Sequence, residues 1–403
     1  MNQYQKDLIK ATIPILRSNG EDLTSYFYTR MFKNHPELKN IFNMGNQANG
    51  KQKSALANAV LAYAENIENP AVLINVLKGI GTKHRSLNIQ PEQYKIVGTQ
   101  LIASIAEVVG EAATPEILEA WTIAYNQLAE IMIDLEKELY KENAAKSGSW
   151  NGWRNFIIKK ITDESSEIKS FYLYPEDGQK ITDFHSGQYI SVHIFVPELG
   201  FMQPRQYSLS SGFNPEYYRI SVKKEIGMDS NPSGLVSNTL HSKTEGDVIS
   251  ISAPAGLFHL EKDSENPLVL ISGGVGLTPM LSILETNASS IQHKKTVWVH
   301  GCRNESVHAF KDQIASLKQE VKWLETFTFY DSLESSENHS NQIIEGRVDL
   351  NKCKEAILLE DAKFYICGPE VFIKKQYQTL IDFNVNHENI FYEEFGPQVI
   401  NLN

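Results

Sequence analysis

From residue 4 to residue 145 the apolar positions recur with a helical period, punctuated by Pro36, Pro70, Pro91 and Pro115. Thr114 before Pro115 reads as an N-cap and a first helical residue, and predicts a long helix running to about Ala145. Two earlier helices are predicted from about Asp22 to Asn34 and from about Lys51 to Ile67. On the first, Leu23, Phe27 and Met31 form the core face with Tyr28 alongside; on the second, Gln52, Leu56, Ala59, Tyr63 and Ile67 share a face. Leu73, Leu77, Ile80 and His84 stand at i, i+4, i+7 and i+11, which turns an imidazole inward on the helix after Pro70. His35 and His84 are the only histidines before Ser147, and Pro36 puts the first of them at a helix end.

Between Ser147 and Trp153 the pattern changes. Short alternating segments follow, such as Tyr189–Val196 and Tyr218–Val222, and predict an antiparallel barrel ending near Leu260. From Pro267 the alternation stops. Leu268–Ile271 is a continuous apolar run of the kind a buried parallel strand carries, followed by glycines and a helix that Thr278 and Pro279 are expected to start with a capping hydroxyl and a pre-set φ. The fold class expected is therefore multidomain: an all-α domain over 1–147, an antiparallel β-barrel over 153–262 and an α/β domain over 263–403. Residues 332–341 are expected to form a mobile loop.

Composition narrows the function. A length of 403 residues exceeds one ordinary core. The net charge of −11 repels nucleic acid and anionic lipid surfaces. No apolar run approaches the roughly 20 residues of a membrane-spanning helix, and the N-terminus lacks an export pattern, so a cytoplasmic location is expected. Three cysteines, Cys302, Cys353 and Cys367, do not make a disulfide framework, and without a Cys-x-x-Cys-His motif any haem is held without thioether bonds.

Two cofactor signatures follow the break. Gly273-Gly274-Val275-Gly276-Leu277-Thr278-Pro279 links a strand to a helix, where open backbone N–H groups bind a pyrophosphate. Proline stands where the dinucleotide fingerprint has its third glycine. Cys367-Gly368-Pro369, after the strand-like Lys363–Ile366, places a second glycine turn and a small thiol at another strand's carboxyl end. Arg205-Gln206-Tyr207-Ser208 suits a flavin: a guanidinium for the diphosphate, a ring for the isoalloxazine and a hydroxyl for its edge. With Gly187-Gln188-Tyr189 and the terminal Glu393-Glu394-Phe395-Gly396-Pro397, this order of motifs resembles the ferredoxin reductase superfamily over about 155–403.

The first third completes the picture. An inward His84, polar groups from Tyr28 and Gln52 on other inward faces, and Phe42 at a bend suit an iron with one protein ligand and an open opposite side. Tyr26-Phe27-Tyr28-x-Arg30-Met31-Phe32, Pro36-Glu37-Leu38-Lys39, Ile41–Met44, Lys83-His84 and Pro91–Tyr94 resemble the globin domain of bacterial flavohaemoglobins, and the resemblance spans essentially the whole chain. It implies haem b, FAD and NADH or NADPH as cofactors. His84 is implied as the proximal iron ligand, with Tyr94 and Glu136 as its hydrogen-bonded partners. Tyr28 and Gln52 are implied on the distal side, with Phe42 and Leu56 at the haem pocket and Lys83 near the haem edge. On the flavin side the resemblance implies Tyr189, Arg205, Gln206, Tyr207, Ser208 and the stretch Glu394, Phe395, Gly396 and Pro397, with Glu393 influencing potential. The family often carries a smaller or neutral residue where Glu394 stands. Ser272, Gly273, Gly274, Val275, Gly276 and Leu277 are implied to contact the nicotinamide dinucleotide, beside Cys367, Gly368 and Pro369.

The activity implied is nitric oxide dioxygenation, in a protein expected to be a monomer. NAD(P)H reduces FAD, FAD reduces haem one electron at a time, and O2 and NO leave as nitrate. Two other readings stay open: an oxygen or nitric oxide carrier or sensor that reduces its own haem, and a flavin-driven reductase of peroxides, quinones or ferric iron. Nicotinamide preference is open too. Arg303, after the strand Thr296–His300, is able to accommodate a 2′-phosphate. Whether a lipid or other hydrophobic guest occupies the distal pocket is also left open by the sequence.

Overall fold

The helical period of the first third is realised as α1 (Gln3–Ala11), α2 (Ile13–Asn34), α3 (Lys51–Glu65), α4 (Ile74–Ser86), α5 (Pro91–Val109) and α6 (Pro115–Ala144). The computed structural model describes residues 1–45, 51–227, 234–261, 265–333 and 342–395, with the side chains of 51–55 outside that description. The second predicted helix ends at Glu65, and the first begins nine residues earlier than expected because Pro14 sits in its first turn, where a missing N–H costs nothing. Thr114 caps α6 as expected, its side chain accepting from the Ile117 N–H.

The helices bury one core, with Ile9, Phe27, Met31, Tyr63, Leu101 and Trp121 among its members. A Cβ at Gly98 on α5 would stand 2.3 Å from the Tyr125 ring of α6, so the absence of a side chain there sets how closely the two helices cross. At the change of character, the buried Asn143 donates to Trp150 O at 2.7 Å and accepts from Ser149 Oγ at 2.9 Å, tying the end of α6 to the segment that follows.

The compact unit built on these helices also takes in His193–Arg205. Those residues belong to a hairpin, β3 (Tyr189–Val196) and β4 (Phe201–Ser208). Its fully buried Gln203 donates to Lys39 O at 2.8 Å and accepts from the Met44 N–H at 3.0 Å.

In the second unit β1 (Arg154–Asp163), β2 (Ile168–Pro175), β5 (Tyr218–Lys223) and β6 (Val248–Ile251) join the hairpin in a sheet of order β4-β3-β6-β1-β2-β5. Leu209, just past β4, bridges to Ile220 on β5, so the two edges meet and the sheet closes as a barrel. A short helix α7 (Leu235–His241) follows β5.

The apolar run becomes β7 (Leu268–Gly273), every residue of it buried. It leads to α8 (Leu277–Ala288), β8 (Thr296–Cys302), α9 (Lys311–Glu320), β9 (Leu324–Tyr330), β10 (Ile343–Glu345), α10 (Lys354–Ile357), β11 (Lys363–Gly368), α11 (Glu370–Asp382) and β12 (Ile390–Glu394). The parallel order β10-β9-β8-β7-β11-β12 winds outward from β7 on one side and returns to its other side with β11. The carboxyl ends of β7 and β11 are thus the switch point of the sheet, where such folds bind ligands. Most of the expected loop at 332–341 lies outside the described residues.

Candidate functional site

His84 lies in the last turn of α4, and two other helices meet it. Glu136 comes from α6 and is 3% exposed; Tyr94 comes from the first turn of α5. Pro91 starts that helix, and Gln93 folds its side chain back to the Gln90 N–H at 2.8 Å, so Tyr94 is held at a well-capped end. His84 Nδ1 stands 2.7 Å from Glu136 Oε1 and 3.0 Å from the Tyr94 hydroxyl, and that hydroxyl donates to the same Oε1 at 2.5 Å. Burial, then the neighbouring Glu136, pushes the Tyr94 phenol far above its usual range, so it stays a hydroxyl and a donor.

A carboxylate oxygen only accepts, so Nδ1 is the ring nitrogen that donates here and Nε2 is the one left for a metal. Among the described residues Nε2 has no hydrogen-bond partner, and the side chain is 31% exposed. A ring fixed at one nitrogen and open at the other is what an iron ligand requires, so these residues fit a haem.

Tyr28 is 5% exposed, and its ring packs edge-on to Phe27 and Phe42 and stacked on Phe32, with centroids 4.9, 5.9 and 5.9 Å away. Leu56 packs against the same core. The Gln52 side chain lies outside the described residues. Lys83 is partly buried beside His84.

Arg205, Gln206, Tyr207 and Ser208 form the second half of β4. Gln206 donates to Ser191 Oγ at 3.1 Å and Arg205 to Pro204 O at 2.7 Å, while Ser208 is buried. The Tyr189 ring lies over Gly256, where an added Cβ would come within 3.1 Å of it and where φ is +115°. Gly256 is a residue that sequence reasoning missed; the signal was a glycine soon after the last barrel strand. Glu393 and Glu394 end β12 and pair in register with Cys367 and Gly368. Glu394 is 8% exposed, Phe395 is exposed, and Gly396 and Pro397 lie outside the described residues.

At the switch point Gly274 has φ +55°, and a Cβ on Gly276 would stand 2.3 Å from Cys367 O and 2.8 Å from Gly368 N. The two glycine turns are therefore in backbone contact, and only glycine permits it. Gly273 and Gly368 both lie under the Phe372 ring, which sequence reasoning did not select. Ser272 is fully buried, with Oγ 2.9 Å from His300 Nδ1. Val275 and Leu277 pack into the core below.

The capping expectation for Thr278 fails. The helix starts at Leu277, and Thr278 Oγ1 donates to Val275 O at 3.0 Å. The hydroxyl thus satisfies a carbonyl of the preceding 3-10 turn instead of capping the helix, and the Leu277 N–H is taken by Gly274 O and Val275 O. Burial, reinforced by Glu393, holds the Cys367 thiol well above its usual range, so it is a small neutral group rather than a nucleophile. Pro369 precedes α11 in extended conformation.

The comparisons agree with this division. Residues 25–132 match the globin family and residues 270–378 the oxidoreductase NAD-binding domain family. A flavohemoprotein of Rhizobium meliloti is 47% identical over 99% of both chains. The chain belongs to the flavohemoprotein family. A flavohemoglobin structure from Malassezia yamatoensis, with bound FAD and heme, superposes on 98% of this chain and 99% of that one, with a TM-score of 0.85 and 28% identity. The FAD/NAD-binding domain of a nitric oxide dioxygenase from Vibrio cholerae covers 60% of this chain and 99% of its own, with 34% identity and a TM-score of 0.54. In flavohemoprotein terms, the helical unit carries the globin match and the parallel sheet the dinucleotide match. Among the described residues no helix is long and apolar enough to cross a membrane.

Proposed function

We propose that this chain is a nitric oxide dioxygenase driven by a nicotinamide dinucleotide. The observation that carries the reading is the His84–Glu136–Tyr94 constellation in a chain whose other unit pairs an antiparallel barrel with a dinucleotide-type sheet. Haem b, when bound, supplies the iron at which O2 and NO become nitrate, and FAD supplies a carrier that accepts electrons in pairs and releases them singly.

The chain's residues divide the remaining work. His84 would hold the haem iron. Glu136 strengthens that ring as a donor by taking its Nδ1–H, which favours activating oxygen over storing it, and Tyr94 keeps the carboxylate in place. By the family resemblance, Tyr28 and Gln52 would serve the side of the haem away from His84, with Phe42 and Leu56 shaping the pocket and Lys83 near it. Arg205, Gln206, Tyr207, Ser208 and Tyr189 would hold the flavin, and the family resemblance assigns Glu393, Glu394, Phe395, Gly396 and Pro397 to the same cofactor. Ser272 through Leu277 and Cys367, Gly368 and Pro369 receive the dinucleotide.

The domain boundaries read as 1–147, 153–262 and 263–403. We also read the protein as a cytoplasmic monomer whose apolar distal surroundings admit a lipid chain.

In aerated buffer with NADH, the haem- and FAD-loaded protein is expected to remove nitric oxide continuously and return nitrate in equal amount. Uptake that stops at stoichiometric binding identifies a carrier instead. His84→Ala separates the halves: flavin still bleaches with NADH, but nitric oxide removal is lost. Retention of that removal sinks the proposal.

A further inference from the structure

The glycine turns account for a pyrophosphate but not for the choice between a free and a 2′-phosphorylated ribose. The following inference concerns that choice and rests on the dinucleotide reading above. In a sheet wound this way the ribose lies at the carboxyl end of the strand after the turn and its helix, where an acid hydrogen-bonds a 2′-hydroxyl or an arginine accepts a 2′-phosphate. That strand is β8, which ends at Cys302, and the next residue is Arg303.

In the folded chain Arg303 already has a partner: its Nη2 donates to Glu167 Oε2 in an ion pair. Glu167 is an anchored residue. It closes the connection between β1 and β2, its carbonyl accepts from Lys224 N at 2.8 Å, and its neighbour Ser166 donates its N–H to Ser306 O at 3.0 Å, three residues beyond Arg303. The Glu167 side chain is 14% exposed against 59% for Arg303, so the acid is fixed in the wall and the base reaches outward from it.

A second acid stands close by. Asp331 follows β9, and its N–H donates to Cys302 O at 3.1 Å. The Cys302 thiol registers the local balance: burial, then Asp331 and Glu167, push it up to about 12 against the pull of Arg303. The nearby Lys311 is engaged with Glu305 at 2.7 Å.

We propose that Glu167 makes this chain select NADH over NADPH, by holding Arg303 in an ion pair and setting a carboxylate against a 2′-phosphate. A phosphate dianion would have to take Arg303 from Glu167 and leave a largely buried carboxylate unpaired beside it, whereas a 2′-hydroxyl makes no such demand.

The test uses the full chain loaded with haem and FAD, with 5′-AMP and 2′,5′-ADP as binding probes in calorimetry and NADH and NADPH in stopped-flow flavin reduction. The wild type is expected to favour NADH by kcat/KM and to bind 5′-AMP more tightly than 2′,5′-ADP. Glu167→Gln keeps the size and removes the charge. It is expected to lower the NADH-to-NADPH ratio of kcat/KM about tenfold and to raise 2′,5′-ADP affinity by a similar factor. That gain is expected to vanish in Glu167→Gln/Arg303→Gln and to shrink with added salt. A ratio unmoved by Glu167→Gln, or a wild type that uses both dinucleotides equally, overturns this inference alone. Flavin that neither dinucleotide reduces overturns the dinucleotide reading, and this inference with it.

Discussion

Oε1 of Glu136 receives hydrogen bonds from both the His84 ring and the Tyr94 hydroxyl, so a change at that atom alters the donor strength of the imidazole without displacing its helix. Glu136→Gln replaces a charged acceptor with a neutral one of the same shape. In the haem-loaded protein the iron–histidine stretching band is expected to move to lower frequency and nitric oxide turnover to fall about 10- to 100-fold. Resonance Raman of the ferrous form reads the first effect; an unmoved band with lost turnover would instead point to damage elsewhere. The inward direction of His84 was legible in the spacing of Leu73, Leu77 and Ile80, because a helix repeats its faces at a fixed period. Its partners were legible only through family resemblance. Glu136 lies 52 residues away on another helix, and no local pattern encodes which acid of α6 will meet the ring.

At the scale of the element, the turn between β7 and α8 illustrates how much a local signal carries. Its glycines announced a strand-to-helix turn, since a φ of +55° at Gly274 and a buried strand before it suit few other residues. The pattern did not announce that Gly276 touches the backbone of β11, a strand about ninety residues further on. Gly276→Ala is therefore expected to push the two turns apart, at a stability cost of about 1–3 kcal/mol. It is also expected to slow flavin reduction by NADH while the His84 surroundings stay intact. Thermal unfolding and stopped-flow reduction check the two effects, and unchanged dinucleotide kinetics would remove this contact from the binding site. The misread Thr278 belongs to the same scale. A threonine before a proline looks the same whether its hydroxyl caps the helix or, as here, satisfies the carbonyl of Val275.

For the whole molecule, pH couples folding to buried imidazoles in the parallel-sheet half. His308 is 7% exposed, its Nδ1 lies 2.7 Å from the Tyr330 hydroxyl, and burial lowers its pKa to about 4; burial also holds His300, fully buried beside it, well below its usual value. Above pH about 6.5 both states carry these rings neutral and no stability depends on them. As pH falls from there toward 4 the unfolded chain takes up protons that the folded chain excludes, so stability is lost. For His308 the loss is on the order of 3 kcal/mol. Denaturant midpoints between pH 7 and pH 4.5 are expected to fall more steeply in the wild type than in His308→Gln, and equal slopes would remove His308 from the linkage. The large divisions of the chain were open to reading because hydrophobic period separates helix from strand, and because turns that need glycine, and helix starts that favour proline, announce themselves over a few residues. Packing alone determined the rest: Gln203 joined to Lys39 across 164 residues, His84 to Glu136 across 52, and Arg303 to Glu167 across 136. Local dihedral and burial preferences act within one element, whereas a hydrogen bond between distant side chains exists only after those elements have docked.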